Sequence, residues 1–168
     1  MATTNGRIRA ISVSAHKGTP KTNVQQADLK ADFGIMGDAH AGSGHRQVSL
    51  LAFESIENVR RHGAEISPGD FAENLTVEGL DLSALCVGST LKIGDSAELE
   101  VTQRGKRCHG RCAIFERLGD CIMPREGIFA RVRHSGPIRL DDVIEVLDDE
   151  SGHTDRERPL RQRATGRP

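Results

Sequence analysis

The chain has 168 residues, 36% hydrophobic and 28% charged, enough for one globular domain and not comfortably two. Its net charge of −1 sets up no global field toward nucleic acid or a membrane surface, and no run is long and apolar enough to cross a bilayer. Aromatic residues are only 3%, with no Trp and no Tyr, so a core must rest on Val, Ile, Leu and Ala, while 18 glycines argue against a helical bundle.

In chain order, residues 1–6 are polar, lack the apolar segment of a signal peptide, and are expected to be a flexible N-terminus. A cytoplasmic, reducing location is the expectation. Arg7 to Ser14 reads as a first strand with a bulge where the alternation slips, and Val24 to Lys30 as a weaker strand. The following FGIMGDAHAGSGHR is too rich in Gly, Asp and His for a regular element and reads as a long loop opening on Gly34 and Gly37. Gln47 to Leu51 alternates as a strand. Ala52 to His62 has the strongest helical pattern, with Phe53, Ile56 and Val59 on one stripe, Glu57 four residues before Arg61, and Gly63 available to close the end.

Asn74 to Val77, Thr90 to Ile93 and Ala97 to Gln103 alternate as strands, the last two joined as a hairpin through Gly94 and Asp95. Ala113 to Leu118 reads as a short helix ended by Gly119, and Ile128 to Arg133 and Val143 to Leu147 as closing strands. Many short strands, Gly-rich links and few helices predict a mainly β domain over residues 7–147, a closed or partly open β-barrel with a few short helices. Residues 148–168 are charged and nearly devoid of apolar side chains, the composition of a disordered tail.

The chemistry concentrates in VTQRGKRCHGRCAIFERLGDCIMPREG, residues 101–127. Cys108 follows the cleanest strand and is surrounded by Arg104, Lys106, Arg107 and Arg111. Neighbouring cations favour thiolate over thiol, and a thiolate can attack an electrophile, hold a persulfide or ligate a soft metal. The same cations suit an anionic ligand, Arg gripping phosphate bidentately. A buried structural Cys beside a solvated basic loop explains the segment equally well on local grounds. A further alternative is a structural Zn or Fe–S site formed by Cys108, His109, Cys112 and Cys121, although the spacing C-H-x-x-C-x8-C is not a standard zinc-finger pattern. Cys86, among apolar neighbours, reads as core filler, and an even cysteine count does not by itself require disulfides in a chain this long.

Two more segments carry polar groups. In GDAHAGSGHRQ, Asp38, His40 and His45 lie close together and can orient a ligand, bind a cation or supply a proton, or merely cap a turn. In PGDFAENL, Glu73 and Asn74 enter a strand. An Asn there can read a heterocycle through donor and acceptor, or simply begin the strand.

Together GIMGDAHAGSGHRQVSLLAFESI, ISPGDFAENLTVEGLDLSALCVGSTLKIG, VTQRGKRCHGRC and GDCIMPREGIFARV resemble the MOSC family, named for the C-terminal domain of molybdenum cofactor sulfurase. The resemblance runs from about Arg7 to Leu147 and is to the short stand-alone bacterial type. It implies a MOSC-type, pyruvate-kinase-barrel-like fold and a molybdenum-cofactor (molybdopterin) role, with Cys108 as the family's cysteine after a strand, ligating molybdenum or handling activated sulfur. Its partners would be cofactor-biosynthesis proteins or client molybdoenzymes, with neither nucleic acid nor membrane. Arg46, Arg104, Lys106, Arg107 and Arg111 are electrostatic candidates for holding the pterin phosphate, with Asn74, Asp38 and His40 beside them. The resemblance leaves open a cofactor carrier or sulfur-transfer domain and a molybdenum-dependent reductase of N-hydroxylated compounds. Pyridoxal phosphate enters only as a family association, through sulfurases that carry a separate domain for it.

Overall fold

The structure, a computed structural model, describes residues 5–108, 110 and 112–147. Among these, seven strands close into a barrel in the order β11-β7-β8-β9-β5-β6-β1, the ring completed by pairing of β11 with β1. The strands are β1 (Asn5–Val13), β5 (Val48–Ala52), β6 (Leu75–Glu78), β7 (Thr90–Ile93), β8 (Ala97–Arg104), β9 (Ile128–His134) and β11 (Val143–Leu147). A short strand β2 (Thr22–Val24) adds to the open edge of β1. A second, three-stranded sheet in the order β10-β3-β4 joins β3 (Gln26–Lys30), β4 (Gly34–Ile35) and β10 (Gly136–Arg139).

Most strands lie close to their predicted positions because period-2 alternation reports a half-buried face directly. β8 shows it plainly: Ala97, Leu99 and Val101 are buried while Glu98 and Glu100 are not. The expected bulge in β1 lies opposite β6, where the register shifts between Ile8 and Ala10. The barrel is packed inside by Ile8, Ile11, Leu50, Leu75, Leu99 and their neighbours.

Strand β5 is apolar on both faces because both are covered. Leu50 points into the barrel core, while Leu51 belongs to a second apolar cluster outside the barrel with Ile56, Phe71, Met123 and Phe129. That outer cluster is roofed by three helices, α1 (Phe53–Arg61), α2 (Ala113–Leu118) and α3 (Met123–Glu126). Helix α1 is the crossover that lets β5 and β6 run parallel.

Several expectations shift. The run Val24 to Lys30 is two strands, because the chain leaves the barrel sheet at Gln25 and enters the second sheet. Strand β1 begins at Asn5, since Asn5 and Gly6 pair with Glu145 and Ile144 to close the barrel. Glu57 pairs with Arg60 rather than Arg61. Cys86 is exposed, not core filler: the turn is held by Ser89 Oγ on the Cys86 N–H and leaves the side chain outward beside exposed Val87. The expected tail, residues 148–168, and residues 1–4 lie outside the described residues, as do His109 and Arg111. No helix among the described residues is long and apolar enough to cross a membrane.

Candidate functional site

The loop between β4 and β5 and the loop before β6 meet over one end of the barrel, and a buried polar network joins them. Asp38 lies at its centre. Its Oδ1 accepts from Lys21 Nζ at 2.8 Å and from the Ser14 N–H at 3.0 Å, and its Oδ2 accepts from Asn74 Nδ2 at 3.1 Å. The Lys21 and Asp38 side chains are 1% and 0% exposed. Burial pushes the Asp38 carboxyl toward the neutral form, but Lys21, the Ser14 amide and Asn74 outweigh it and hold its pKa below the usual carboxylate value.

Asn74 has all four of its hydrogen-bonding positions filled. Oδ1 accepts from the Ser49 N–H and hydroxyl, each at 3.1 Å, and Nδ2 donates to Ser12 O and Asp38 Oδ2, each at 3.1 Å. It ties β1, β5 and the Asp38 loop together at the start of β6, and its amide has no hydrogen-bonding position left over for a heterocycle. Glu73 is more deeply buried still. Its Oε1 accepts from the Gly69 N–H at 2.6 Å and Thr76 Oγ1 at 3.2 Å, while Oε2 is buried without a partner among the described residues. Burial drives its pKa upward.

Against this network lies a cavity of about 440 Å³. Lys17, His40, His45, Arg46 and Lys106 line it, with Ser49 and Asn74 behind and Met123 and Phe129 as an apolar wall. Among the described residues, none of its lining side chains is acidic. The Arg46 guanidinium stands 5.8 Å from the Phe129 ring centre. His40 Nδ1 lies 3.3 Å from Lys21 Nζ. An ammonium only donates, so Nδ1 is the acceptor and the imidazole proton sits on Nε2. Burial and then the charge of Lys21 lower the His40 pKa, which agrees with a neutral ring. Ala72, also lining this cavity, has φ of +66°, a left-handed conformation that is strained for a residue with a Cβ.

Cys108 is exposed four residues beyond β8 and borders a neighbouring cavity of about 450 Å³ with Cys112 and Cys121. The two cavities share the wall around the start of α3. Met123 faces the cationic one, and Cys121, Pro124 and Arg125 face the other. Lys106 lines the first, and its charge is felt at both His40 and Cys121. Its position is fixed by the backbone: Gly105 N–H donates to Gly127 O at 2.6 Å and Lys106 N–H to Pro124 O at 3.2 Å.

The predicted cations are therefore divided. Arg46 and Lys106 reach the cationic cavity. Arg104 turns the other way, donating to Ser83 O at 2.9 Å across a third cavity. Arg107 is exposed on the Cys108 loop. His40 lines the cavity, whereas Asp38 lies behind it. Sequence reasoning missed Lys17 and Lys21, whose only local signal is HKGTPK, a polar loop. Among the described residues no three His, Cys, Asp or Glu side chains converge on a metal-sized site. The alternative cluster includes His109, outside those residues.

The MOSC domain family profile matches residues 37–145. Among solved structures, the YUAD protein from Bacillus subtilis is 21% identical with a TM-score of 0.72, the match covering 87% of this chain and 98% of that one. YiiM from Geobacillus stearothermophilus is 20% identical with a TM-score of 0.67, covering 88% and 77% respectively. YiiM from Escherichia coli is 18% identical with a TM-score of 0.61, covering 85% and 70%. At these identities the likeness is one of fold. Among curated proteins none matches.

Proposed function

This chain belongs to the MOSC domain family, and we propose that it binds the molybdenum cofactor in the cationic cavity and uses Cys108 as a thiolate ligand or as a sulfur carrier in cofactor maturation or delivery to client molybdoenzymes. One observation carries the reading: Lys17, Arg46 and Lys106 gather around a cavity without an acidic lining residue among those described, two residues before an exposed cysteine.

The donor set fits the group. A pterin phosphate is an anion, and two ammonium groups and a guanidinium supply both charge and directed donors. Neutral His40 adds an Nε2–H donor without changing the charge balance. The Phe129 and Met123 wall suits the flat face of a heterocycle, and the cavity falls in the size range of small-molecule sites. When bound, the cofactor supplies the molybdenum and its dithiolene sulfurs. The chain's own part is to hold the phosphate through Arg46, Lys17 and Lys106, keep Asp38 and Asn74 fixed behind it, and present the Cys108 sulfur at the loop edge, where a soft ligand suits that metal.

Co-production with active cofactor biosynthesis, followed by molybdenum and pterin analysis, tests this. The wild type is expected to carry both, Arg46→Ala with Lys106→Ala to lose the pterin, and Cys108→Ala to lose molybdenum or transferable sulfur. Empty wild-type protein would falsify the reading. Near-stoichiometric zinc or iron without pterin would select a structural metal site instead. Cys108-dependent turnover of an N-hydroxylated compound would place the chain among reductases.

A further inference from the structure

Cys108, Cys112 and Cys121 border one cavity and all are free thiols, more than a single ligating or sulfur-carrying cysteine requires. They are not equivalent. Cys108 and Cys112 are exposed. Cys121 is 9% exposed and packed in the outer apolar cluster with Ile114, Ile122 and Met123. Burial pushes its thiol pKa up, and the nearby Cys112 and Cys108 push it further, so it remains a protonated thiol and a poor nucleophile. The exposed pair is separated by three residues, and a Cβ built on the central one, Gly110, would meet nothing within 4 Å. A disulfide between them requires Cα atoms roughly 4.4–6.8 Å apart, and among the described residues nothing packs against Gly110 to oppose that approach. Arg125, at the same cavity and paired bidentately with Asp120, adds a guanidinium beside the sulfurs.

We propose that this cavity is a sulfide-releasing site, in which Cys112 resolves a persulfide carried on Cys108. The inference rests on the reading of Cys108 as a sulfur carrier. A small-molecule persulfide donor gives its sulfane sulfur to the Cys108 thiolate and departs as its own thiolate. The Cys112 thiolate then attacks Cys108 Sγ. The Cys112–Cys108 S–S bond forms, the bond from Cys108 to the sulfane sulfur breaks, and that sulfur leaves as hydrosulfide with the electron pair. Two cysteine thiolates are oxidised to one disulfide and one sulfane sulfur is reduced to sulfide. A dithiol reductant from solution returns the pair to thiols. Cys121 takes no covalent part.

The full-length protein, reduced and then loaded with glutathione persulfide and desalted, provides the test. Wild type is expected to release one sulfide per chain and to yield a Cys108–Cys112 disulfide by peptide mapping. Cys112→Ser is expected to hold the added sulfur on Cys108 and lose sulfide release, while Cys121→Ser behaves as wild type. If Cys108 takes up sulfur but Cys112→Ser releases sulfide as fast as wild type, or the mapped bond runs to Cys121, the resolving role is wrong and the carrier reading stands. If Cys108 takes up no sulfur at all, both fall together. Because disulfide mapping is done on the wild-type protein, the test does not depend on any variant folding.

Discussion

Lys21 is the residue on which the cationic cavity rests most heavily, although it does not line it. Its ammonium neutralises a carboxylate that is 0% exposed and sets the tautomer of His40. Replacing it with methionine leaves Asp38 buried and uncompensated, a loss expected to reach about 3–5 kcal/mol. Denaturant unfolding of Lys21→Met against wild type measures it, and a loss within experimental error would mean water compensates the carboxylate. Because the folded pKa of Asp38 is depressed, the stability it contributes is present above its unfolded pKa and disappears as pH falls through the folded value. Glu73 has the opposite sign. Its folded pKa is raised, so the native state binds the extra proton, and stability falls as pH rises from the ordinary carboxylate pKa toward the folded value. Glu73→Gln is expected to flatten that part of the pH–stability curve. An unchanged slope would show that another group titrates there.

Among the elements, the junction of β8 with α3 decides where Lys106 and Cys108 stand. Gly105 has φ of +65°, and a Cβ on it would collide with Pro124 O. That neighbour is backbone, so it cannot rotate away. Gly105→Ala is therefore expected to cost about 1–3 kcal/mol and to weaken binding of inorganic phosphate by moving Lys106. Full stability with unaltered phosphate affinity would show that the turn relaxes without displacing the site. Helix α3 has no counterpart in the sequence pattern: one turn of four residues, Met123–Glu126, is too short to display a 3.6-residue period. Strand β10 was hidden for a related reason. Pro137 argues against a strand, yet β10 is an edge strand of its sheet, where a missing N–H can be tolerated.

For the whole molecule, closure of the ring through β1 and β11 is what turns a curved sheet into a barrel without free edges at that seam. Gly6 lies in it, and a Cβ there would approach Leu80 Cβ to 2.6 Å and Glu78 O to 2.8 Å. Gly6→Val is expected to lower global stability by about 1–3 kcal/mol. Hydrogen exchange should then lose protection in β5 and β8 as well as β1, because every barrel strand shares one core. Loss confined to β1 would mean the seam opens independently of the rest.

The residue order alone determined the class of fold, the positions of β7, β8, α2 and β11, and Cys108 as a cysteine following a strand. These follow from local alternation, turn residues and spacing, which do not depend on distant partners. Which cations share a cavity was decided only by tertiary structure. Arg104 and Lys106 are two positions apart, yet one faces Ser83 and the other Arg46, since the turn at Gly105 redirects the chain between them. The same holds for Lys21, Asp38 and Asn74: nothing local marks them as one network, because an ion pair out of water exists only once three separate segments have closed over it.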